Sequence, residues 1–190
     1  MDGDGQESVA ASTAMLKAFS HPVRRAILRA LDRLDAARAA DLADALDIPA
    51  NRLSFHLRTL ADAGIIEEDP SRARDRRDRV WVPAIRSITF GSAEDPIADE
   101  ALGAVVVDGH IADHGDIVRR AAAWSMEYLT GRDAVMHGVM SRHAARLTPD
   151  EFRDLHQRIQ ALIDEARTNH DESAPSHMYE IDIVAADDAI

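Results

Sequence analysis

The stretch "IPANRLSFHLRTLADAGII", residues 48–66, decides how this chain is read. On a helical wheel of 100° per residue, Leu53, Leu57, Leu60 and Gly64 fall within about 60° of one another. That stripe predicts a helix held against a core, and Gly64 is placed as its C′ stop. The other side carries Asn51, Phe55, Arg58 and Asp62, flanked by Arg52 and Thr59. Only one acid interrupts the stretch, in a chain whose formal net charge is −12.

Working outward, a first helix is expected over Ser8–Phe19. A second follows in "SHPVRRAILRALDRL", where Ser20 can cap, Pro22 suits the first turn, and Val23, Ile27, Leu31 and Leu34 form a stripe. "ARAADLADALD" predicts a shorter helix with Leu42 and Leu46 inward, and Asp47–Pro49 breaks it from the opening stretch. Downstream, "IIEE" and "RVWVPA" read as two strands joined by the polar loop "DPSRARDRR", which holds Arg72, Arg74, Arg76 and Arg77. Three helices, a sharp turn before the third, and a hairpin make a winged helix-turn-helix.

Charge is distributed to match. Residues 17–86 hold 14 Lys and Arg against 11 Asp and Glu, a formal +3, which leaves −15 for the rest. Such asymmetry points to a localised polyanion site. A helix fits the B-DNA major groove, where Asn can bond adenine, Arg can bond guanine, and an exposed Phe can lie against a thymine methyl. Arginines on a hairpin can neutralise phosphates and release counterions. The candidate DNA contacts are therefore Asn51, Arg52, Phe55, Arg58 and Thr59 on the helix, and Arg72, Arg74, Arg76 and Arg77 on the loop.

"LKAFSHPVRRAILRAL" resembles the opening of ArsR-type winged helix-turn-helix regulators, and "DLADALDIPANRLSFHLRTLADAGII" is similar to their helix-turn-helix at Leu46, Ser54, His56, Leu57, Leu60, Ala63, Gly64 and Ile65. The resemblance covers roughly Met15–Pro83. It implies a homodimeric transcriptional regulator on a palindromic double-stranded DNA operator, with residues 48–63 as recognition helix and 69–79 as wing. It adds Ser54 and His56 as phosphate-contacting positions; the alternative for His56 is a half-buried packing residue. Two positions depart from the family pattern. Asp47 stands where glycine is usual, but Asp tolerates left-handed backbone. Pro49 stands where Ser or Thr usually caps, so the helix entry loses one cap bond.

The sensor is less legible. With no cysteine anywhere, disulfides and thiolate chemistry are excluded, including the family's arsenite site. Asp108-Gly109-His110 supplies half of a second family metal site, but the later positions, Ala121 and Trp124, cannot ligate. His110 and His114 share a helix face and are the residual metal candidates, weighed against a plain solvated face. No metal or other cofactor is expected, and the effector stays unidentified.

Pro96 to about Tyr128 predicts a long helix with Ile97, Ala101, Ala104, Ile111, Val118 and Ala122 on one face. Gly103, Gly109 and Gly115 interrupt it, which favours close approach by a partner helix. Thr148-Pro149-Asp150-Glu151 is a capping box. It opens a helix with Phe152, Leu155, Ile159, Leu162, Ile163 and Ala166 on one face. Strands are expected on either side, in "AVMHGVMSRH" and at Tyr179–Ile183. Trp124, Met126, Tyr128, Met136 and Met140 could line an apolar pocket or simply form core.

The fold class is thus α+β and mainly helical. A tail over 1–11 and a winged helix-turn-helix over 12–86 are followed by a linker and dimerisation helix over 87–128. A small strand-helix-strand dimerisation or sensing unit over 129–190 completes it. No apolar run approaches the roughly 18 residues of a membrane span, and the acidic N-terminus lacks the features of a secretory signal. A cytoplasmic protein is expected. Gly-rich phosphate loops, nucleophile elbows and HExxH are all missing, so an enzyme is not expected. The alternative to a regulator is a winged-helix protein-interaction module without direct DNA binding.

Overall fold

Local capping and turn chemistry set most of the helix ends. In the computed structural model, which describes residues 9–75, 78–85, 88–92, 94–171 and 173–189, the elements run β1 (Val9–Ala10), α1 (Thr13–Phe19), α2 (Pro22–Leu34), β2 (Ala37–Arg38), α3 (Ala39–Leu46), α4 (Ala50–Asp62), β3 (Ile66–Glu68), β4 (Val80–Pro83), β5 (Ile88–Thr89), α5 (Glu100–Leu129) and α6 (Pro149–Thr168). The fold is α+β and mainly helical, with a winged helix-turn-helix at its N-terminal end. The chain divides into two compact units, Met1–Gly115 and Asp116–Ile190, and the division falls inside α5.

Each end of the helix-turn-helix has a local cause. Ser12 caps α1 by accepting from the Met15 N–H at 3.3 Å. The cap of α2 is His21, not the expected Ser20. His21 Nδ1 accepts from the Val23 N–H at 3.2 Å, while Ser20 Oγ donates back to the Lys17 carbonyl. Asp47 adopts the left-handed conformation expected of it, with φ 53° and ψ 41°, and closes α3. Pro49 gives α4 no side-chain cap bond. At the far end Gly64 takes φ +71°. The Ile65 N–H reaches the Leu60 carbonyl at 3.0 Å and the Gly64 N–H reaches Ala61 at 2.9 Å, the two bonds of a Schellman stop.

The core of this unit gathers Ala18, Ile27, Leu31, Leu42, Leu53, Leu57, Leu60, Ile66 and Trp81. The predicted leucine stripe of α4 is wholly buried, whereas Leu34 at the end of the α2 stripe is exposed. The wing is an antiparallel pair with Glu67 opposite Val82 and Glu68 opposite Trp81. A third strand, β2, joins β4 on its other edge, pairing Ala37 with Trp81.

Four expectations need correction. The first helix begins at Thr13, not Ser8, because Val9–Ala10 pair in parallel with Ile88–Thr89, and the Ala11 N–H donates to the Thr89 carbonyl. Residues 9–11 are therefore more than a tail, and residues 88–89 more than a linker. The long helix starts at Glu100, and its inward positions are Gly103, Val106 and Gly109. Ile111 and Val118 of the expected face are exposed. The reason is space: a Cβ on Gly109 would lie 2.6 Å from the guanidinium carbon of Arg25, so glycine admits that side chain. Finally, in the second unit α6 forms with its capping box intact, Glu151 N–H to Thr148 Oγ1 at 3.3 Å and Thr148 N–H to Glu151 Oε2 at 2.7 Å. The expected strands beside it carry no ladder among the described residues. Their alternating pattern finds single contacts instead, such as the Tyr179 hydroxyl donating to the Met136 carbonyl at 3.1 Å and the ion pair of Arg120 with Glu180.

Candidate nucleic-acid interface

The leucines that anchor α4 leave its other side to solvent. Asn51, Arg52, Ser54, Phe55 and Arg58 are exposed and Thr59 is half-buried. Phe55 shows 66% of its surface, which leaves the ring free for an apolar contact. Among the described residues Arg52 and Arg58 have no ion-pair partner. Their charge is uncommitted. Ser54 and Thr59 donate to the carbonyls four residues back, Ala50 at 3.1 Å and Phe55 at 3.0 Å, and keep their oxygen lone pairs for an incoming donor.

His56 is not in that row. It is half-buried, with its ring centroid 4.6 Å from that of His21 at the α1–α2 junction. Its Nδ1 is buried and has no hydrogen-bond partner. Burial, then the neighbouring His21 and Arg24, lowers its pKa, and burial with Arg24 and Arg25 lowers that of His21. Both rings are therefore neutral near pH 7, and the geometry matches the packing alternative for His56.

The wing differs electrostatically from α4. Arg72 bonds Asp35 at 2.8 Å and lies 3.3 Å from Asp69, and the Asp35 hydrogen bond raises the guanidinium above its ordinary pKa. Arg74 lies 3.7 Å from Asp78, and Arg79 3.4 Å from Glu68. These exposed pairs are screened by water and can open. The described arginines of the wing are thus partly neutralised. Arg76 and Arg77 lie outside the described residues.

Beneath the interface are two arginines that sequence reading passed over. Arg24 and Arg25 are buried. Arg24 Nε donates to the Ala18 carbonyl at 2.7 Å and its Nη2 to Lys17; Arg25 Nη1 donates to Phe19 at 3.0 Å. Both thus satisfy carbonyls at the C-terminal end of α1, where cations suit the helix dipole. Arg25 Nε also donates to Asp113 Oδ2 on α5 at 2.9 Å, and Arg29 reaches the same oxygen at 2.7 Å. A signal was available: Arg24 precedes Ile27 by three and Leu31 by seven, on the buried stripe itself.

His110 and His114 share a turn of α5, and His110 packs its ring against Phe90 at 5.2 Å. No group of three or more His, Asp or Glu able to hold a metal occurs among the described residues. In the second unit Trp124 donates to Asp133 at 3.2 Å and stacks 5.1 Å from Tyr128, while Met126, Tyr128, Met136 and Met140 are exposed. No described helix is long and apolar enough to cross a membrane.

Residues 19–69 match the family model for a helix-turn-helix domain. No curated protein matches the chain. Among solved structures, an ArsR family transcriptional regulator is 19% identical over 56% of this chain and 88% of its own, with TM-score 0.31. A mutant of ZitR from Lactococcus lactis, in apo form, is 16% identical over 79% and 83%, with TM-score 0.29. A mutant of MarR from E. coli, complexed with operator DNA, is 15% identical over 80% and 75%, with TM-score 0.26. Identities and scores this low leave the fold resting on the order of helices and strands above.

Proposed function

We propose that this chain, built around a helix-turn-helix domain at residues 19–69, is a DNA-binding transcriptional regulator that acts as a homodimer in the cytoplasm. Helix α4 enters the major groove. Asn51, Arg52, Phe55 and Arg58 reach base edges or adjacent phosphates, and Ser54 and Thr59 meet the backbone. The wing lies on flanking DNA, where Arg72 and Arg74 exchange their acidic neighbours for phosphate. His56 supports the helix from behind by packing on His21.

One observation carries this reading. An exposed aromatic ring and two uncommitted guanidiniums share the face that the leucine stripe turns outward. That combination suits a groove that is both polyanionic and lined with thymine methyls. Thiolate metal sensing is excluded by composition, because the sequence holds no cysteine.

Operator sequences are selected from a random pool, and affinity is then measured against salt. Each phosphate contact contributes about −0.9 to the log-log salt slope. The Arg52→Ala, Arg58→Ala pair is expected to bind less tightly with a shallower slope. Unchanged affinity and slope would sink the assignment of this face. Recovery of no DNA, with capture of a protein partner by the same surface, would favour the interaction-module reading.

A further inference from the structure

From Asp116 onward the chain has helices but no interior: among the described residues of this unit none is buried. Leu129, Val139, Leu162 and Ile181 are each more than 60% exposed. A unit of this size with so little apolar burial cannot offset the entropy of ordering its chain. Something must cover it, and α6 carries the information about what does.

Phe152, Leu155, Ile159, Leu162 and Ala166 follow one another at spacings of three and four. Over two heptads these are the a and d positions of a coiled-coil seam. Phe152, Leu155 and Leu162 on that seam are exposed. Flanking it, the g positions are Arg158 and Glu165, of opposite charge and seven residues apart. The e positions are His156 and Ile163.

We propose that α6 is a self-association surface, packing antiparallel against α6 of a second copy about a two-fold axis near Gln160 and Ala161. In that register Ile159 meets Leu162 of the second copy, and Leu155 meets its Ala166. In an antiparallel coiled coil g faces g, so Arg158 faces Glu165 of the second copy, twice by symmetry. The alternative pairing fits less well. A parallel alignment sets Arg158 against an apolar Ile163 and relies on Glu151, whose carboxylate already accepts from Thr148. Charged flanks of this kind choose orientation and partner. The α6 pair is the centre of the contact, and the neighbouring Leu147, Met178 and Ile181 are available to widen it.

This rests on the homodimer of the preceding section but not on DNA binding, and the test separates the two. Sedimentation equilibrium of the full chain is run on wild type, Arg158→Glu, Glu165→Arg and the double swap. Each single change places like charges in contact at two symmetric sites and is expected to weaken the dimer about tenfold. The double swap is expected to return it to within about threefold of wild type. Rescue is the decisive reading, because Arg158→Glu also disturbs the Asp154 neighbour of Arg158 at 3.7 Å on the same helix. Ile159→Asp, which puts a charge in the seam, is expected to give monomer with helix content by circular dichroism otherwise retained outside α6. A monomeric wild type, singles that leave the dimer unchanged, or a double swap no better than the singles each overturns the proposal. Operator affinity measured separately decides the regulator reading: a wild type that dimerises with the swap pattern intact but selects no DNA refutes that reading alone.

Discussion

Asp113→Ala tests how the long helix is fastened to the helix-turn-helix head. One carboxylate oxygen accepts from two arginines, Arg25 at 2.9 Å and Arg29 at 2.7 Å. The Arg29 side chain is 43% exposed, so that pair is screened and contributes about 0.5 kcal/mol. Arg25 is different, with a side chain 10% exposed and a guanidinium laid against Gly109. A hydrogen bond to a charged group contributes about 1.5–3 kcal/mol, and a nearly buried cation left without its carboxylate adds to the loss. The Phe19 carbonyl remains to Arg25, and water can enter the space vacated by the carboxylate, both of which reduce the cost. The expected destabilisation is about 2–3 kcal/mol. The assay is urea unfolding of the full chain followed by tryptophan fluorescence. The two tryptophans, Trp81 and Trp124, fall in different units. In a Trp124→Phe background Trp81, buried in the sheet, reports the head alone. Arg29→Ala is the control, expected to cost less than about 1 kcal/mol. A loss below about 0.5 kcal/mol for Asp113→Ala, or equal losses for the two variants, would refute the reasoning that the buried Arg25 bond carries the fastening.

Phe55→Ala removes an exposed ring, so unfolding free energy should change by less than about 0.5 kcal/mol, while affinity for the selected operator falls and its salt slope stays the same. Gly64→Ala meets no neighbouring atom but must hold φ +71°, so it should destabilise the head by about 1 kcal/mol, readable as a lower urea midpoint at unchanged m-value. The His21 and His56 pKa values are both lowered from the ordinary 6.5 by folding, so the unfolded chain binds these protons more readily. Stability should therefore be flat above about pH 6.5, fall as the pH drops below it, and level off once the folded-state pKa values are passed. A His21→Asn, His56→Gln variant, which keeps a capping side chain at 21, should lose that part of the pH dependence in parallel unfolding curves. Thr148→Ala deletes the α6 capping box and should cost about 1 kcal/mol in the stability of that helix, seen as lower helicity by circular dichroism.

Much of the helix-turn-helix head was determined by the sequence alone, because the signals there are local. The leucines of 53–60 recur at the helical period, Gly64 can take a positive φ without a Cβ clash, and Asp47 tolerates the left-handed turn. The capping box at 148–151 likewise joins groups three residues apart. Each is decided within a turn of helix, so the sequence carries it whatever lies around it. What only the tertiary structure decided is the long-range pairing. Counting charge treats every arginine as available to DNA, yet Arg24 and Arg25 are spent on the end of α1, and Arg72 and Arg74 face acids brought up by the fold. The same holds for strands: Val9–Ala10 and Ala37–Arg38 are too short to show a period, and become strands because Ile88–Thr89 and Val80–Trp81 offer open hydrogen bonds. The alternating segments beside α6 show the period but meet no such edge, and form no strand. A helix satisfies its backbone within itself and can be read from its own residues. A two-residue strand, a buried cation or an ion-paired wing depends on groups tens of residues away, and only the folded chain brings those groups together.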